Sequence, residues 1–360
     1  MQTDSSTSLH VSGMVELLSG AYVSLIRIGM PFCTFPSVML WGPPGVGKSQ
    51  GVRQVAERIT EETGKSVTVT DVRLLLFNPV DLRGIPTANA DKTLAVWLKP
   101  KIFQMDESNE TVNILFLDEI SAAPPSVQAA AYQITLDRMI GEHKLPENCI
   151  VIAAGNRVTD KSVAYNMPKA LANRLCHLDI VVDPGAWHDW AVKKGLHRYV
   201  VGYLDFNPVA LMRFDPSGTE VAFQTPRSWE MVSNILKNIS EDLGTVFPLV
   251  AGCVGEDAAR ALKIWSLTAD KLPSPEAVFA GRAHTRPNAP ELRTALRAAL
   301  VEYAREHPDV DGLARSLEHA CELPWEYRKA LLRDYSLIPF VRAAIENNAV
   351  FREALQRGLK

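Results

Sequence analysis

The fold is decided by a short apolar strand that runs directly into a glycine-rich loop, Ser37-Val38-Met39-Leu40-Trp41-Gly42-Pro43-Pro44-Gly45-Val46-Gly47-Lys48-Ser49. The loop matches the pattern G-x-x-x-x-G-K-S, and a helix-like run from Gln50 to Thr63 follows it. Glycines let such a loop curl until backbone N–H groups point at phosphate oxygens, and a helix N-terminus adds partial positive charge. Strand, loop and helix together predict a nucleoside triphosphate site.

Each position of this loop has an expected task. The predicted nucleotide-binding residues are Gly42, Pro43, Pro44, Gly45, Val46, Gly47, Lys48, Ser49 and Gln50. Lys48 is expected to reach the β- and γ-phosphates, and the Ser49 hydroxyl to ligate Mg²⁺. The alternative is a chance glycine turn before a helix, and a second motif further along the chain weighs against it.

The second motif is a buried strand that ends in two acids, Asn113 to Ile120. Its apolar residues deliver Asp118 and Glu119 to the carboxyl end of the strand, where open α/β sheets bind ligands. We expect Asp118 to hold Mg²⁺ and Glu119 to act as the general base on the attacking water. Two adjacent acids alone would favour a solvated turn, but here they lie downstream of a phosphate loop.

A neutral amide follows the next apolar strand, Cys149 to Ala154, at Gly155-Asn156. Asn156 is placed to orient water against the γ-phosphate. A simple turn asparagine is the alternative reading. The functional reading is preferred because two strands already converge on one site.

Near-continuous apolar strands alternate with helices in the first half of the chain, with further strands at Val67 to Leu76 and Leu175 to Val182. This pattern predicts an α/β fold, a parallel sheet sandwiched by helices. Beyond residue 185 the strand signal fades and helical patterns dominate, at 186–213, 226–238, 255–268, 290–306, 311–321 and 325–357. We therefore predict an α/β nucleotide-binding domain at 1–185, an all-α domain at 186–285 and a helical extension at 286–360, with residues 1–8 as a disordered tail.

Composition narrows the function classes. The net charge of −3 argues against a protein drawn to nucleic acid or anionic lipid. Five scattered cysteines without a C-x-x-C pair favour a reducing, cytoplasmic compartment over a disulfide framework or zinc site. The first residues do not resemble a signal peptide, and the apolar run Phe247 to Val254 is too short to span a bilayer.

These motifs resemble those of the AAA+ ATPases, and finer features resemble the MoxR branch of that family. Four segments carry the finer resemblance: Asp81 to Pro86, Pro124 to Ala130, Met167 to Leu175 and Thr225 to Glu230. The resemblance covers residues 10 to 285, and residues 286 to 360 resemble no family that we can name. It implies that segment 84–100 is a hairpin inserted near the pore of a ring.

The resemblance also implies the remaining catalytic residues and the assembly. Arg174 corresponds to an arginine finger that completes the site of the neighbouring subunit, and Arg227 to a residue that senses the γ-phosphate. Arg157 and Arg138 are further candidates for a contact across the interface. ATP with Mg²⁺ would bind between the α/β domain and the helical lid of a hexameric ring. The implied partners are a protein client, for chaperone-like remodelling or for metal or cofactor insertion, and a von Willebrand factor A domain adaptor.

Two other functions stay open at this point. The first is a nucleic-acid motor on the same core, such as a helicase-like or restriction-type translocase, which the acidic net charge disfavours. The second is a nucleotide switch or scaffold that does not hydrolyse, which the full set of Lys48, Asp118, Glu119, Asn156 and Arg174 disfavours. The loop motif by itself does not separate ATP from GTP.

Overall fold

The computed structural model of the protein describes residues 8–157, 167, 169–215, 218–269 and 271–347. The chain divides into two compact units, Met1–Val182 and Asp183–Lys360. Predictions that fall on residues 1–7, on 158–166 and 168, or beyond 347 lie outside the described residues. The three-domain division at 185 and 285 stays a prediction.

The first unit is built on a six-stranded sheet in which every pairing is parallel, in the order β1-β10-β2-β9-β6-β3. The predicted α/β class is therefore confirmed. The central strand β2 leads to the glycine-rich loop, and its neighbours come from later parts of the chain, which is the arrangement that opens a ligand crevice at strand carboxyl ends. The strands are β1 (Ser8–His10), β2 (Val38–Trp41), β3 (Ser66–Arg73), β6 (Thr111–Asp118), β9 (Cys149–Gly155) and β10 (Cys176–Val181).

Helices cover both faces of this sheet. One face packs against α1 (Val11–Arg27) and α2 (Lys48–Thr63), and buries Val38 and Leu40 of β2. The other face packs against α4 (Pro125–Asp137) and buries Met39. Both faces of the inner strands are thus apolar, which explains why their sequences read as continuous hydrophobic runs. Two short helices, α3 (Pro79–Arg83) and α5 (Lys169–Ala172), complete the unit.

Two small antiparallel hairpins flank the sheet: β4 (Ile85–Ala88) with β5 (Ala95–Leu98), and β7 (Met139–Ile140) with β8 (His143–Lys144). The first lies within the predicted 84–100 segment. Asn89 holds its turn, because the Asn89 side-chain oxygen accepts hydrogen bonds from the backbone N–H groups of Thr93 and Leu94. Most side chains of this hairpin are exposed, including those of Ile85 and Leu98.

The structure departs from the sequence reading in several places. Ser8 was predicted to end a disordered tail, but it begins β1, a three-residue strand at the sheet edge. The strand predicted to reach Leu76 ends at Arg73, and Leu74–Leu76 forms a 3₁₀ turn. Three-residue edge strands carry no measurable periodicity. The aliphatic run Leu74–Leu76 satisfies a strand pattern equally well, so periodicity alone could not end the strand correctly.

The second unit is mainly helical in its described residues, with one isolated antiparallel bridge between Arg213 and Gln224. Its helices are α6 (Pro184–Lys194), α7 (Arg198–Phe206), α8 (Pro226–Asn238), α9 (Phe247–Val254), α10 (Glu256–Ala269), α11 (Pro275–Phe279), α12 (Pro290–Glu306), α13 (Val310–Cys321), α14 (Trp325–Ser336) and α15 (Pro339–Asn347). Sequence periodicity did not identify α9 and α11, which are short. None of the described helices is long and apolar enough to cross a membrane.

A buried polar network joins four helices of the second unit. Asp334 of α14 accepts a hydrogen bond from His188 of α6 at 3.0 Å and forms an ion pair with Arg297 of α12 at 3.1 Å. Arg297 also pairs with Asp205 of α7. Charges buried this deeply persist only when each is paired. The network thus connects helices on both sides of residue 285.

Glu302 gives the second unit a pH dependence. Burial raises the pKa of Glu302 from its ordinary 4.5 to about 7, although the Arg198 backbone N–H donates to the carboxyl and opposes the shift. The folded state thus binds this proton more tightly than the unfolded chain. The contribution to stability is fully present below pH 4.5 and is lost as the pH rises to about 7.

In the parent protein, ionisation of Glu302 lowers the unfolding free energy as the pH rises from 4.5 to about 7. We therefore expect the unfolding free energy of Glu302→Gln to decrease by about 2–3 kcal/mol less than that of the parent over this pH range. Urea unfolding at several pH values measures this effect. The exposed Glu318→Gln is the matched control and should follow the parent protein. Parallel curves for Glu302→Gln and the parent would show that Glu302 titrates normally in the fold.

Candidate functional site

The glycine-rich loop is anchored by the side chain of Val46. Val46 is buried in the core beside α1, which fixes the loop between β2 and α2. Gly47 has a φ of 107°, in the left-handed region that favours glycine, and it forms the N-cap of α2. A Cβ at Gly42 would stand 2.6 Å from the carbonyl oxygen of Ile180 in β10. Larger residues at either position would force the loop out of shape.

The start of α2 is suited to an anion. In the described chain no side chain caps this helix, so none competes with a phosphate for the N–H groups of its first turn. The helix dipole concentrates partial positive charge at the same place. Gln50 lies in this first turn and is half-buried.

Lys48 is buried, with only 8% of its surface exposed, and its ammonium group is fully engaged. Lys48 Nζ donates to the carbonyl oxygens of Gly42 at 2.6 Å and Pro43 at 3.2 Å, and to Asn156 Oδ1 at 3.1 Å. A buried ammonium needs such partners. The three acceptors are neutral, so a phosphate oxygen would be a stronger partner than any of them.

Ser49 and Asp118 are brought together from residues far apart in the sequence. Ser49 Oγ donates to Asp118 Oδ2 at 2.8 Å, which joins the first turn of α2 to the carboxyl end of β6. A hydroxyl and a carboxylate oxygen in contact offer the hard oxygen ligands that Mg²⁺ prefers. The described residues hold no cluster of three His, Cys, Asp or Glu side chains suited to a metal. The Ser49–Asp118 pair supplies two oxygen ligands, so a Mg²⁺ ion bound here would take its other ligands from phosphates and water.

Glu119 occupies a strained backbone position. Its φ is 60°, one of few positive values among the described non-glycine residues. Such a conformation costs about 1–3 kcal/mol and persists only when neighbouring contacts enforce it. Here the Glu119 N–H donates to Asp118 Oδ1 at 2.8 Å, and the Glu119 carbonyl accepts from the Ala122 N–H at 3.0 Å. The turn after β6 thus fixes the acid predicted as the base in a half-buried position beside Asp118.

Asn156 is held by a residue that sequence reasoning missed. The Asn156 backbone N–H donates to Ser121 Oγ at 2.9 Å, and Ser121 is buried. The preceding Gly155 makes this approach possible, because a Cβ there would stand 2.8 Å from Ser121 Oγ. Ser121 therefore connects the turn after β6 with the end of β9. No local pattern marks it, since the pairing depends on the neighbouring strands of the sheet.

Substitution of Ser121 tests this connection. We expect Ser121→Ala to lower the unfolding free energy by about 1–3 kcal/mol, because it leaves the Asn156 N–H without its partner. It should also reduce nucleotide turnover by loosening Asn156. Urea unfolding and steady-state kinetics measure the two effects. Ser24→Ala removes a hydroxyl from an exposed face of α1 and should change neither.

A second buried group supports the same turn from α4. Gln128 Nε2 donates to the carbonyl oxygens of Ser121 at 3.3 Å and Ala123 at 3.0 Å. Tyr132 OH donates in turn to Gln128 Oε1 at 3.2 Å, and burial raises the pKa of Tyr132 to about 12, which keeps it a neutral donor. These hydrogen bonds from α4 thus hold the turn that carries Glu119.

The predicted arginines lie in different settings. Arg174 is exposed in the turn between α5 and β10, and Arg227 is exposed in the first turn of α8 in the second unit. Arg157 forms an ion pair with Asp179 of β10, and the Arg138 guanidinium binds the carbonyl oxygens of Pro146 and Cys149. Arg138 thus forms hydrogen bonds within its own unit, and its candidacy for a contact across the interface stays a prediction.

Lys48, Ser49, Asp118 and Asn156 therefore converge on one edge of the sheet through direct hydrogen bonds, and Glu119 follows Asp118 in the chain. Among the described residues of the first unit, the exposed Arg174 is not a hydrogen-bond partner of this cluster. Arg227 belongs to the second unit, and its proposed role stays a prediction. An arginine finger would act on a second copy, so a single chain does not test that role.

Comparison with known proteins identifies the class of the first unit. Residues 38–176 match the family model described as ATPase family associated with various cellular activities (AAA). The match spans less than half of the chain, and it contains the glycine-rich loop, both acids, Asn156 and Arg174. With the parallel sheet topology, it marks this segment as an AAA-type domain. No curated protein matches the chain.

Solved structures similar to this chain are distant. A RuvB mutant from Thermotoga maritima is 14% identical, with 95% of this chain and 87% of that chain covered and a TM-score of 0.35. PCH-2 from C. elegans is 13% identical, with 83% of this chain and 69% of that chain covered and a TM-score of 0.34. NtrX from Brucella abortus in complex with ADP is 15% identical, with 90% of this chain and 68% of that chain covered and a TM-score of 0.36. These similarities assign no activity to this chain.

Proposed function

We propose that the protein is an AAA+ ATPase of the MoxR-like branch that hydrolyses ATP to remodel or activate a protein client. One observation carries the proposal: Lys48, Ser49, Asp118 and Asn156, from three neighbouring strand ends, are linked by hydrogen bonds of 2.8 and 3.1 Å around the phosphate loop. The family match over residues 38–176 supports the AAA part of this proposal, while the MoxR branch and the protein client rest on the resemblance of the sequence motifs.

The chain's own residues divide the work of binding and hydrolysis. The loop N–H groups and Lys48 bind the phosphates, and Lys48 exchanges its neutral partners for phosphate oxygens. Glu119 accepts a proton from the attacking water as a general base. Asn156 orients that water against the γ-phosphate. Because Lys48 and Asn156 share a hydrogen bond, entry of the γ-phosphate would change the positions of both side chains together.

Mg²⁺ fits the oxygen pair formed by Ser49 and Asp118, which would hold it directly or through water. When bound, it neutralises charge on the β- and γ-phosphates. The Asp118 carboxylate also accepts from the Glu119 N–H, so ligand and base are held by one rigid turn.

The active form in this proposal is a ring of identical subunits, a hexamer by family resemblance. Arg174 would complete the site of the neighbouring copy, because the charge that develops on the transferred phosphoryl group needs a cationic donor. Arg227 would sense the γ-phosphate from the helical lid. The proposed partner is a von Willebrand factor A domain protein, and the proposed outcome is remodelling of a protein or insertion of a metal or cofactor.

Substitution of Lys48 tests the nucleotide site itself. We expect Lys48→Ala to weaken binding of a fluorescent ATP analogue by about 30- to 1000-fold, because a buried charged partner of the phosphates is lost. Equilibrium titration with Mg²⁺ present measures the affinity. Lys144→Ala alters an exposed lysine of β8 and should bind as the parent does. Unchanged affinity of Lys48→Ala would reject the phosphate-loop assignment.

A further inference from the structure

The strand β10 carries two polar residues on a face where its neighbour β2 places the apolar side chains of Met39 and Trp41. In β10, Leu178 and Ile180 pack into the core on the α1 and α2 side. His177 and Asp179 alternate with them and therefore lie on the opposite face, in register with Met39 and Trp41 of β2. Polar groups placed between strands of a buried sheet require partners.

Each of these two residues reaches a residue at the edge of the nucleotide site. Asp179 forms an ion pair with Arg157, which directly follows Asn156. His177 contacts Trp41, which directly precedes Gly42: Trp41 Nε1 donates to His177 Nδ1 at 2.8 Å, and the two rings stack with centroids 6.0 Å apart. The strand β10 thereby contacts the residue that precedes the phosphate loop and the residue that follows Asn156.

The second nitrogen of His177 reaches the turn that carries Arg174. His177 Nε2 lies 2.7 Å from the carbonyl oxygen of Ala172, and the same oxygen accepts from the Leu175 N–H at 3.2 Å. These two bonds close the turn that contains Asn173 and Arg174. The exposed Arg174 side chain therefore projects from backbone that His177 fixes.

The hydrogen-bond partners also settle the state of the ring. An indole N–H can only donate, so His177 Nδ1 must be an acceptor, and a carbonyl can only accept, so Nε2 must carry the proton. One neutral tautomer of His177 satisfies both contacts at once. A side chain without the acceptor would lose the hydrogen bond from Trp41, and one without the donor would lose the hydrogen bond to Ala172.

We infer that His177 is a positioning residue for Arg174: it links the strand that ends at one subunit's phosphate loop to the turn that offers Arg174 to the next subunit. The inference rests on the proposed trans role of Arg174. The contacts of His177 with Trp41 and Ala172 hold the turn that presents Arg174 in a fixed place relative to the start of the phosphate loop.

The test is a subunit-mixing experiment with His177→Leu, which keeps side-chain bulk and removes both hydrogen bonds. By itself, this variant should bind a fluorescent ATP analogue within about twofold of the parent and lose about 10- to 100-fold in kcat, with KM little changed. Mixed with Glu119→Gln subunits, whose Arg174 is intact, it should regain activity above that of either variant alone. Its own catalytic residues are unaltered and need only a correctly placed finger.

Two further variants keep the outcome interpretable. Trp41→Phe retains the ring stack and removes the N–H donor, and it should show a smaller loss that mixing also restores. His177→Gln keeps an amide donor and should retain more activity than His177→Leu. If His177 had only a structural role, His177→Leu would lower the unfolding temperature, and mixing with Glu119→Gln subunits would restore no activity.

Arg174→Ala mixed with Glu119→Gln is the reference for the proposed function. If that mixture recovers activity and the His177→Leu mixture does not, His177 does not position Arg174. Parental kcat for His177→Leu would overturn the inference equally. If the Arg174→Ala mixture also fails to recover, the trans role of Arg174 falls, and the inference falls with it.

Discussion

Arg174→Ala should abolish steady-state ATP hydrolysis while leaving nucleotide binding intact. We expect kcat to fall by about 10³- to 10⁵-fold, the range that an arginine finger contributes in related nucleotide hydrolases. The reason is geometric: Arg174 is exposed in the turn before β10, outside the hydrogen-bonded cluster of its own subunit. Phosphate release measures turnover, and titration with a fluorescent ATP analogue measures binding.

Two controls sharpen this prediction. Arg58→Ala removes a half-buried arginine of α2 that forms an ion pair with Glu62 one helical turn away, and it should leave turnover unchanged. Arg174→Lys keeps the charge but loses the planar fork, so it should restore only part of the rate. If Arg174→Ala hydrolyses ATP at the parental rate, the finger assignment is wrong.

Glu119→Gln should trap ATP. Glutamine preserves the size of the side chain but accepts no proton, so we expect kcat to fall by about 10²- to 10⁴-fold with affinity unchanged or higher. The strained backbone at Glu119 should tolerate this substitution, because its φ of 60° is enforced by backbone contacts of the turn. Bound nucleotide recovered after gel filtration, analysed as ATP or ADP, measures the trap.

The matched control for this variant is Glu142→Gln, which neutralises an exposed glutamate between β7 and β8. It should turn over and release nucleotide as the parent protein does. In the trapped form we also expect larger assemblies on gel filtration, because ATP is held at the proposed subunit interfaces. Recovery of ADP alone from Glu119→Gln at the normal rate would mean that another group activates the water.

The sequence predicted those parts of the site that local patterns specify. The loop from Gly42 to Ser49 is a contiguous motif, and the acids at 118 and 119 end a strand whose burial is visible as an apolar run. The contact of Ser49 with Asp118, at 2.8 Å, follows from strands that end at one sheet edge. The parallel α/β class was predicted from the same runs.

The remaining features depend on register between strands, which no local pattern encodes. Ser121 meets Asn156 only because β6 and β9 are neighbours, and His177 meets Trp41 only because β10 lies beside β2. The short elements β1 and α11 were missed because three to five residues are too few to show a period. The exposed arginines were assigned from family resemblance, and their roles remain proposals.

The most direct measurement is ATP hydrolysis by Glu119→Gln and Arg174→Ala subunits combined at graded ratios. Each variant lacks one component that the other retains, so a site shared between copies predicts a rate that rises above both pure samples and peaks at intermediate ratios. A rate that never exceeds the sum of the separate samples, at any ratio and with mixed assemblies shown to form, would contradict a site completed by an adjoining subunit.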